Sequence, residues 1–174
     1  MENSFNIRIK DNFFNDSIFK EIYNNVDHQN YSPDSNVLQN LWEKHIWYAS
    51  NSVKPEVKQY VKTKCEEIIN KKLEMGICNY TMVATVTPLV HCDKKEGITT
   101  HQALVYIKGN EKLTKGTGFY VKEEGSFILN THVGFKENRV IIWDSEAWHS
   151  PLNWSSDDKQ QRYSIIAQFK ELNE

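Results

Sequence analysis

The segment RVIIWDSEAWHSP, residues 139–151, contains the pattern that decides the fold. Its first half is a continuously apolar, β-branched run from Val140 to Trp143, which is typical of a buried strand. A polar turn follows, and His149 lies just beyond it, where a rigid strand can hold a side chain in a defined position. The segment therefore predicts a β-rich core that carries functional side chains near its strand ends.

Other short segments rich in strand-forming residues recur through the C-terminal half, and turn residues such as Gly109-Asn110 and Gly125 separate them. An alternating segment at residues 5–9 predicts one more strand near the N-terminus. The predicted strands of the C-terminal half are 77–87, 102–107, 117–121, 126–135, 139–143 and 162–169.

Apolar residues at helical spacing predict two helices in the N-terminal half. The first begins at Asp16 or Ser17, either of which can cap it, and runs to about Val26. The second begins at Pro55, a favourable first-turn residue, and ends at Gly76.

Two helices followed by many short strands predict a mainly β, α+β fold in which the helices pack on a β-sandwich or jelly roll. The chain has 174 residues, 39% of them hydrophobic and 25% charged, which fits one globular domain over residues 1–174. We expect its helical support at about residues 13–76 and its β core at about residues 77–170.

Charge and cysteine content exclude several function classes. The formal net charge is −2, which gives no strong signal for a nucleic-acid partner. The three cysteines form no CxxC pair, which argues against a disulfide framework or a structural zinc site. No segment resembles a signal peptide or reaches the roughly 18 apolar residues of a membrane span, so we expect a cytoplasmic protein. The sequence does not indicate the oligomeric state.

Two histidines and one carboxylate form a candidate set of metal ligands. His91 and Asp93 flank Cys92, and residues two apart in an extended segment project to the same side, so one ion could contact both. His149 lies far along the chain, but distant strands of a jelly roll face each other across its interior. This ligand set, which leaves coordination positions open, is that of non-haem Fe(II) oxygenases. His101 lacks a carboxylate two residues away and is not assigned to the site.

The segment RYSIIAQF, residues 162–169, predicts a strand that begins with a candidate anion-binding residue. Arg162 supplies a planar, permanently charged fork that fits a carboxylate, and Ser164 projects to the same side and can contact the same group. The face that they share comprises Arg162, Ser164, Ile166 and Gln168.

These motifs together resemble the 2-oxoglutarate- and Fe(II)-dependent oxygenases of the small prolyl-hydroxylase-like type. The resemblance covers about residues 77–170, with a looser match at the N-terminal strand, turn and helix. It implies a double-stranded β-helix, a cupin-like jelly roll. The motifs that carry it, in order, are HCD (91–93), ALVYIKGN (103–110), GTGFYV (116–121), NRVIIWDSEAWHS (138–150) and RYSIIAQF (162–169).

The resemblance implies an oxidoreductase, a hydroxylase that uses 2-oxoglutarate and O2 at a non-haem Fe(II) and releases succinate and CO2. It implies that the catalytic iron ligands are His91, Asp93 and His149. It also implies that Arg162 pairs with the distal carboxylate of 2-oxoglutarate and that Tyr106 and Ser164 assist.

The substrate stays open at this stage, as either a small molecule or a peptide. The family's Gly-Gly-x-Thr-x-Phe turn is replaced here by residues 116–120, GTGFY, which puts a prolyl substrate in doubt. Trp148, next to a predicted ligand, is the candidate substrate-contacting residue, together with the loops 28–52, 94–101 and 108–116.

Two other functions fit the same pattern. One is a cupin-like metalloprotein, a dioxygenase or isomerase that does not use 2-oxoglutarate; it assigns no shared task to Arg162 and Tyr106. The other is a jelly-roll binding module without a metal, which leaves His91, Asp93 and His149 unexplained.

Overall fold

The described strands of the protein form two antiparallel β-sheets. The computed structural model describes residues 6–33, 46–49, 51–83, 90–94, 99–112, 114–152 and 161–172. In chain order the elements are β1 (Arg8–Lys10), α1 (Asp16–Asn25), a 3₁₀ turn (Val26–His28), β2 (Ser32–Pro33), β3 (Ile46–Ala49), α2 (Pro55–Ile69), β4 (Leu73–Val83), β5 (His101–Lys108), β6 (Gly116–Glu123), β7 (Ser126–Gly134), β8 (Val140–Asp144), β9 (Trp148–Leu152) and β10 (Arg162–Glu171). Within these residues, no helix is both long and apolar enough to cross a membrane.

The sheet order is that of a jelly roll. The large sheet has the order β1-β8-β5-β10-β4-β3-β2, and the small sheet has the order β7-β6-β9. Every neighbouring pair is antiparallel. His91 forms a bridge to His149 of β9, so the segment of His91 extends the small sheet at that edge. The prediction of a mainly β, double-stranded β-helix with N-terminal helices is confirmed.

The large sheet packs apolar side chains on both of its faces. Successive residues of each strand project to opposite faces, so each strand contributes to both. On one face, residues such as Ala103 and Val105 of β5 pack with Ile22 of α1 and Val61 of α2. On the other face, Leu104 of β5 packs in a second cluster that includes residues of the small sheet. The predicted packing of helices on a β-sandwich is therefore confirmed, and the second cluster lines the space where the candidate site lies.

Both helices differ from the prediction at one end. The first begins at Asp16, but its cap is Asn15, whose Oδ1 accepts a hydrogen bond from the N–H of Ile18 at 3.0 Å. The second ends at Ile69 rather than at Gly76, because Asn70 adopts the left-handed conformation with φ 55° and ψ 47°. Gly76 lies within β4 instead.

The strand predictions hold in position but not at every boundary. Strand β9, Trp148–Leu152, was not predicted, because a short segment with a proline and polar residues carries no strand signal of its own. It forms by pairing with β6, which includes a direct pairing of Phe119 with His149. The N-terminal strand is Arg8–Lys10 rather than residues 5–9, and residues 84–87 of the first predicted strand lie outside the described residues.

Asn138 ties the turn between β7 and β8 to the segment before α1. Its Oδ1 accepts from the N–H of Phe14 at 2.8 Å, and its Nδ2 donates to the carbonyl of Phe14 at 2.9 Å. Its own N–H donates to the carbonyl of Tyr106 at 2.9 Å. Asn138 also adopts a positive φ of 57°, which asparagine tolerates better than most residues.

We expect Asn138→Ala to lower the free energy of unfolding by about 2–4 kcal/mol, because both backbone groups of Phe14 would be buried without partners. Chemical denaturation measures this loss. Asn138→Gly tolerates the positive φ yet lacks the side-chain bonds, so it should lose a similar amount. If the glycine variant were as stable as wild type, these two hydrogen bonds would not stabilise the fold.

Candidate metal centre and its cavity

His91, Asp93 and His149 come together between the two sheets. His149 lies in β9, and the His91 backbone pairs with it through two hydrogen bonds, of 3.0 and 2.8 Å. The Nε2 atoms of His149 and His91 lie 3.3 and 3.7 Å from Oδ2 of Asp93. One possible ligand atom from each of the three residues lies within 4.8 Å of the others. Two imidazoles and one carboxylate at this separation fit a single divalent ion such as Fe(II).

A second contact orients the ring of His149. Its Nδ1 lies 2.9 Å from the carbonyl oxygen of Ala147, which can only accept, so we assign the ring proton to Nδ1. Nε2 is the ring nitrogen that faces Asp93. The ring is buried against Trp143, with centroids 5.0 Å apart. A metal-binding histidine is commonly held by such an outer hydrogen bond, which fixes both its tautomer and its direction.

Asp93 is ionised in this setting. Burial by itself would raise the pKa of the Asp93 carboxyl, but the hydrogen bond and charge interaction with His149 and the charge interaction with His91 outweigh it. The pKa of Asp93 therefore lies below its ordinary value. A metal ligand must be deprotonated, so the carboxylate needs no further proton loss to bind an ion at neutral pH.

A cavity of about 280 Å³ opens beside these three residues. Its volume is at the lower end of the range for ligand pockets, roughly 300–1,000 Å³. Arg162, at the first position of β10, lines the same cavity as the candidate metal ligands. The described lining residues are Ile46, Tyr48, Ile77, Asn79, Thr81, Val83, His91, Asp93, Leu104, Thr117, Trp143, His149, Pro151, Arg162, Ile166 and Gln168.

Arg162 presents a buried guanidinium to this cavity. Its Nη1 donates to the carbonyl of Gly116 at 3.1 Å, and the guanidinium lies 5.6 Å from the ring centroid of Tyr106. Burial lowers the pKa of Arg162, which reflects the cost of removing its charge from water. A carboxylate bound in the cavity would offset that cost through a paired, charge-assisted hydrogen bond.

Tyr106 and Ser164 lie close to Arg162. They face each other directly across β5 and β10, and both are fully buried. The hydroxyl of Tyr106 shares a 2.6 Å hydrogen bond with Oγ1 of Thr117, a cavity-lining residue. Oγ of Ser164 makes no hydrogen bond within the described part of the chain.

Gly116 allows β6 to approach its neighbours closely. It has a φ of 154°, and a Cβ at this position would lie 2.0 Å from the carbonyl oxygen of Val133. A larger residue at position 116 would therefore shift the backbone there, including the Gly116 carbonyl that accepts the hydrogen bond from Arg162. Thr117, the next residue, was missed in the sequence as a cavity residue, although the GTGFYV motif drew attention to its segment.

Trp148 is not among the described residues that line the cavity. His149 and Pro151 of β9 line it, so alternation turns Trp148 to the opposite face, where its ring packs on Phe127 at 4.9 Å. Trp143, which resembled an ordinary core residue in the sequence, both packs in the core and lines the cavity.

The remaining histidines that the structure describes lie elsewhere. His101 opens β5 and lies 3.4 Å from Asp144, and it takes no part in the three-residue cluster. His28 and His132 are exposed, and His45 lies outside the described residues. Parts of the three loops expected to select the substrate also lie outside the described residues.

Comparison with solved structures identifies proteins of the same architecture. A prolyl hydroxylase from Trichoplax adhaerens, in complex with a peptide of hypoxia inducible factor, matches with a TM-score of 0.65 and 13% identity over 96% of this chain and 84% of that chain. HygX from Streptomyces hygroscopicus, with nickel and 2-oxoglutarate bound, matches with a TM-score of 0.67 and 9% identity over 96% of this chain and 83% of that chain.

A third similar structure is SnoN, an α-ketoglutarate-dependent epimerase of nogalamycin biosynthesis, with a TM-score of 0.68 and 11% identity over 95% of this chain and 78% of that chain. No protein-family model matches the sequence, and no curated protein matches it. At these identities the similarity establishes the fold. The chain has the double-stranded β-helix fold of 2-oxoglutarate/Fe(II) oxygenases, as the motifs predicted.

Proposed function

We propose that this protein is a 2-oxoglutarate- and O2-dependent Fe(II) dioxygenase that hydroxylates a small-molecule or peptidyl substrate. The observation that carries the proposal is that His91, Asp93 and His149 share one cavity with the buried guanidinium of Arg162. The first three supply the donors that Fe(II) prefers, and Arg162 supplies a site for a carboxylate.

Bound iron and 2-oxoglutarate supply the oxidation, in which one oxygen atom of O2 goes to succinate, the other goes to the substrate, and CO2 is released. The chain supplies position and surroundings. His149 and His91 offer their Nε2 atoms beside the ionised Asp93, and Arg162 anchors the distal carboxylate of the co-substrate. Tyr106 and Ser164, buried beside Arg162, offer hydroxyl groups to the same carboxylate.

The alternatives explain fewer of these features. A cupin-like metalloprotein that does not use 2-oxoglutarate leaves the buried Arg162 in the cavity without a task. A metal-free binding module does not account for three metal-type donors within 4.8 Å of one another.

The fold does not choose among the reactions of such enzymes, since HygX, SnoN and a prolyl hydroxylase share it. We propose hydroxylation, the reaction implied by the sequence motifs. We also propose a cytoplasmic location, in line with the three free cysteines Cys65, Cys78 and Cys92. The peptide in one similar structure supports keeping peptides in the search for a substrate.

The test measures succinate formed from 2-oxoglutarate in the presence of Fe(II) and O2. We expect slow succinate formation by the protein alone and faster formation with the correct member of a panel of peptides, amino acids, nucleotides and small metabolites. With ¹⁸O2, hydroxylation adds one labelled oxygen atom to the substrate, whereas epimerisation adds none.

Each result of this test has a separate meaning. Labelled succinate without label in the product would contradict hydroxylation but retain the co-substrate. Metal binding without any succinate, across the whole panel, would favour the cupin-like alternative.

A further inference from the structure

One backbone carbonyl of the turn between β8 and β9 orients the ring of His149. Nδ1 of His149 donates to the carbonyl oxygen of Ala147 at 2.9 Å. The N–H of Ala147 in turn donates to the carbonyl of Asp144 at 2.9 Å, which closes a β-turn over residues 144–147. A group that fixes this turn therefore also fixes the direction of a candidate metal ligand.

Ser145 fastens the turn to the segment that precedes β5. Its Oγ donates to the carbonyl of Thr99 at 2.7 Å, and its N–H donates to the carbonyl of Thr100 at 2.9 Å. Ser145 is only 1% exposed, so water cannot replace either bond. Buried hydrogen bonds of this kind are costly to break, because the group left behind stays without a partner.

The segment that holds Ser145 is itself tied to the large sheet. The N–H of Thr100 donates to the carbonyl of Phe169 at 2.8 Å, and its Oγ1 accepts from the N–H of Glu171 at 2.7 Å. Both partners belong to β10, the middle strand of the large sheet. A continuous series of hydrogen bonds thus runs from β10 through Thr100 and Ser145 to the turn.

An ion pair links the same turn to the segment of the other two candidate ligands. Lys94, which directly follows Asp93, places its Nζ 2.7 Å from Oε1 of Glu146. The two side chains are 48% and 69% exposed, and ion pairs this exposed contribute little to stability. The buried hydroxyl of Ser145 is therefore the stronger attachment of the turn.

We propose that Ser145 is a positioning residue of the metal centre. By fixing residues 144–147, it holds the carbonyl of Ala147 where that group directs Nε2 of His149 toward the metal. Ser145 is not among the described residues that line the cavity, so it acts only through Ala147. A ligand held in advance binds metal more tightly than one that the metal must itself order. The inference rests on the proposed function, because it requires His149 to bind the metal.

The test uses Co(II) as a spectroscopic probe of the full chain. Ser145→Ala removes the side-chain bond to Thr99. We expect Co(II) affinity to fall by about tenfold, the lower end of the range of about 10–100-fold for an outer partner of a metal ligand, since Ser145 acts one step further out. The visible spectrum at saturation should also change, because it reports ligand geometry. Ser145→Cys, which keeps a weak donor of similar size, should shift both readouts in the same direction.

Ser150→Ala is the matched control. Ser150 is a fully buried serine next to His149 in the chain, but its Oγ donates to the hydroxyl of Tyr120 in β6 at 3.1 Å. We expect this variant and Ser145→Ala both to lower the melting temperature of the metal-free protein. Only Ser145→Ala should weaken Co(II) binding and change the spectrum, which a purely structural role would not do.

Glu146→Gln is a second control, within the turn itself. It removes the exposed ion pair with Lys94 and keeps the hydrogen bonds of Ser145. Its Co(II) affinity should fall much less than that of Ser145→Ala. An equal loss in the two variants would assign the attachment of the turn to the ion pair and overturn the role of Ser145.

Further outcomes would also overturn that role. Wild-type Co(II) affinity and spectrum in folded Ser145→Ala would do so while leaving the metal centre intact. Equal losses in Ser145→Ala and Ser150→Ala would show a general loosening of β9, and failure of both Ser145 variants to fold would assign the residue to stability alone. Absence of Co(II) binding in the wild type would instead refute the proposed metal centre, and the role of Ser145 with it.

Discussion

His149→Ala should lose Fe(II) binding by more than about a hundredfold, because removing only an outer partner of a metal ligand already costs about 10–100-fold. The variant removes one of three donors that the structure places within 4.8 Å of one another. It also removes the hydrogen bond between Nδ1 of His149 and the carbonyl oxygen of Ala147. Anaerobic titration of the metal-free protein with Fe(II) measures the effect, and about one ion per chain is expected for wild type.

Because His149 is buried, its replacement could also disturb the fold, so a second ligand variant is needed to separate loss of metal binding from misfolding. Asp93 is more exposed, with 29% of its side chain accessible, so Asp93→Ala removes a ligand at lower risk to the core. His132→Ala, at an exposed position of β7, is the control and should bind Fe(II) as wild type does. Unchanged affinity in a folded His149→Ala protein would refute the ligand assignment.

Arg162→Ala should weaken 2-oxoglutarate binding by more than about tenfold, since loss of a buried charged partner costs about 2–5 kcal/mol. Metal affinity should stay near the wild-type value, because Arg162 is not a metal donor. Arg162→Lys should restore little, since an ammonium cannot form the two parallel hydrogen bonds of the guanidinium fork. Calorimetry with 2-oxoglutarate and metal-loaded protein, without O2, measures the affinity.

The control for this series is Arg8→Ala, which removes an exposed arginine of β1. It should bind 2-oxoglutarate as wild type does. Wild-type affinity in Arg162→Ala would contradict the anchor and favour the cupin-like alternative, in which Arg162 has no co-substrate to bind. Loss of metal together with loss of 2-oxoglutarate would instead indicate that Arg162 supports the site as a whole.

Much of the candidate site was predictable because its signals are local. Residues two apart in an extended segment share a side, so the spacing of His91 and Asp93 already implied that both could contact one ion. The alternation in residues 162–169 likewise predicted that Arg162 and Ser164 project to the same side, and the structure buries both and places Arg162 in the cavity.

Other features depend on neighbours that are distant in sequence. Strand β9 exists because it pairs with β6. Its pleat turns Trp148 away from the cavity, although the position of Trp148 next to His149 in the sequence had suggested that it contacts the substrate. The cap at Asn15 and the left-handed Asn70 set helix ends that the sequence analysis had assigned to Asp16 or Ser17 and to Gly76.

By itself, the sequence determined the alternation of apolar and polar residues, the mainly β architecture and the identity of the metal-type side chains, because these depend on residues within a few positions of one another. Only the tertiary structure decided which side chains meet. The pairing of His91 with His149 and of Tyr106 with Ser164 arises from strand register, and register is set by pairing between segments far apart in the chain. No local pattern encodes that pairing, so the partners of Asp93 emerge only when the two sheets are assembled.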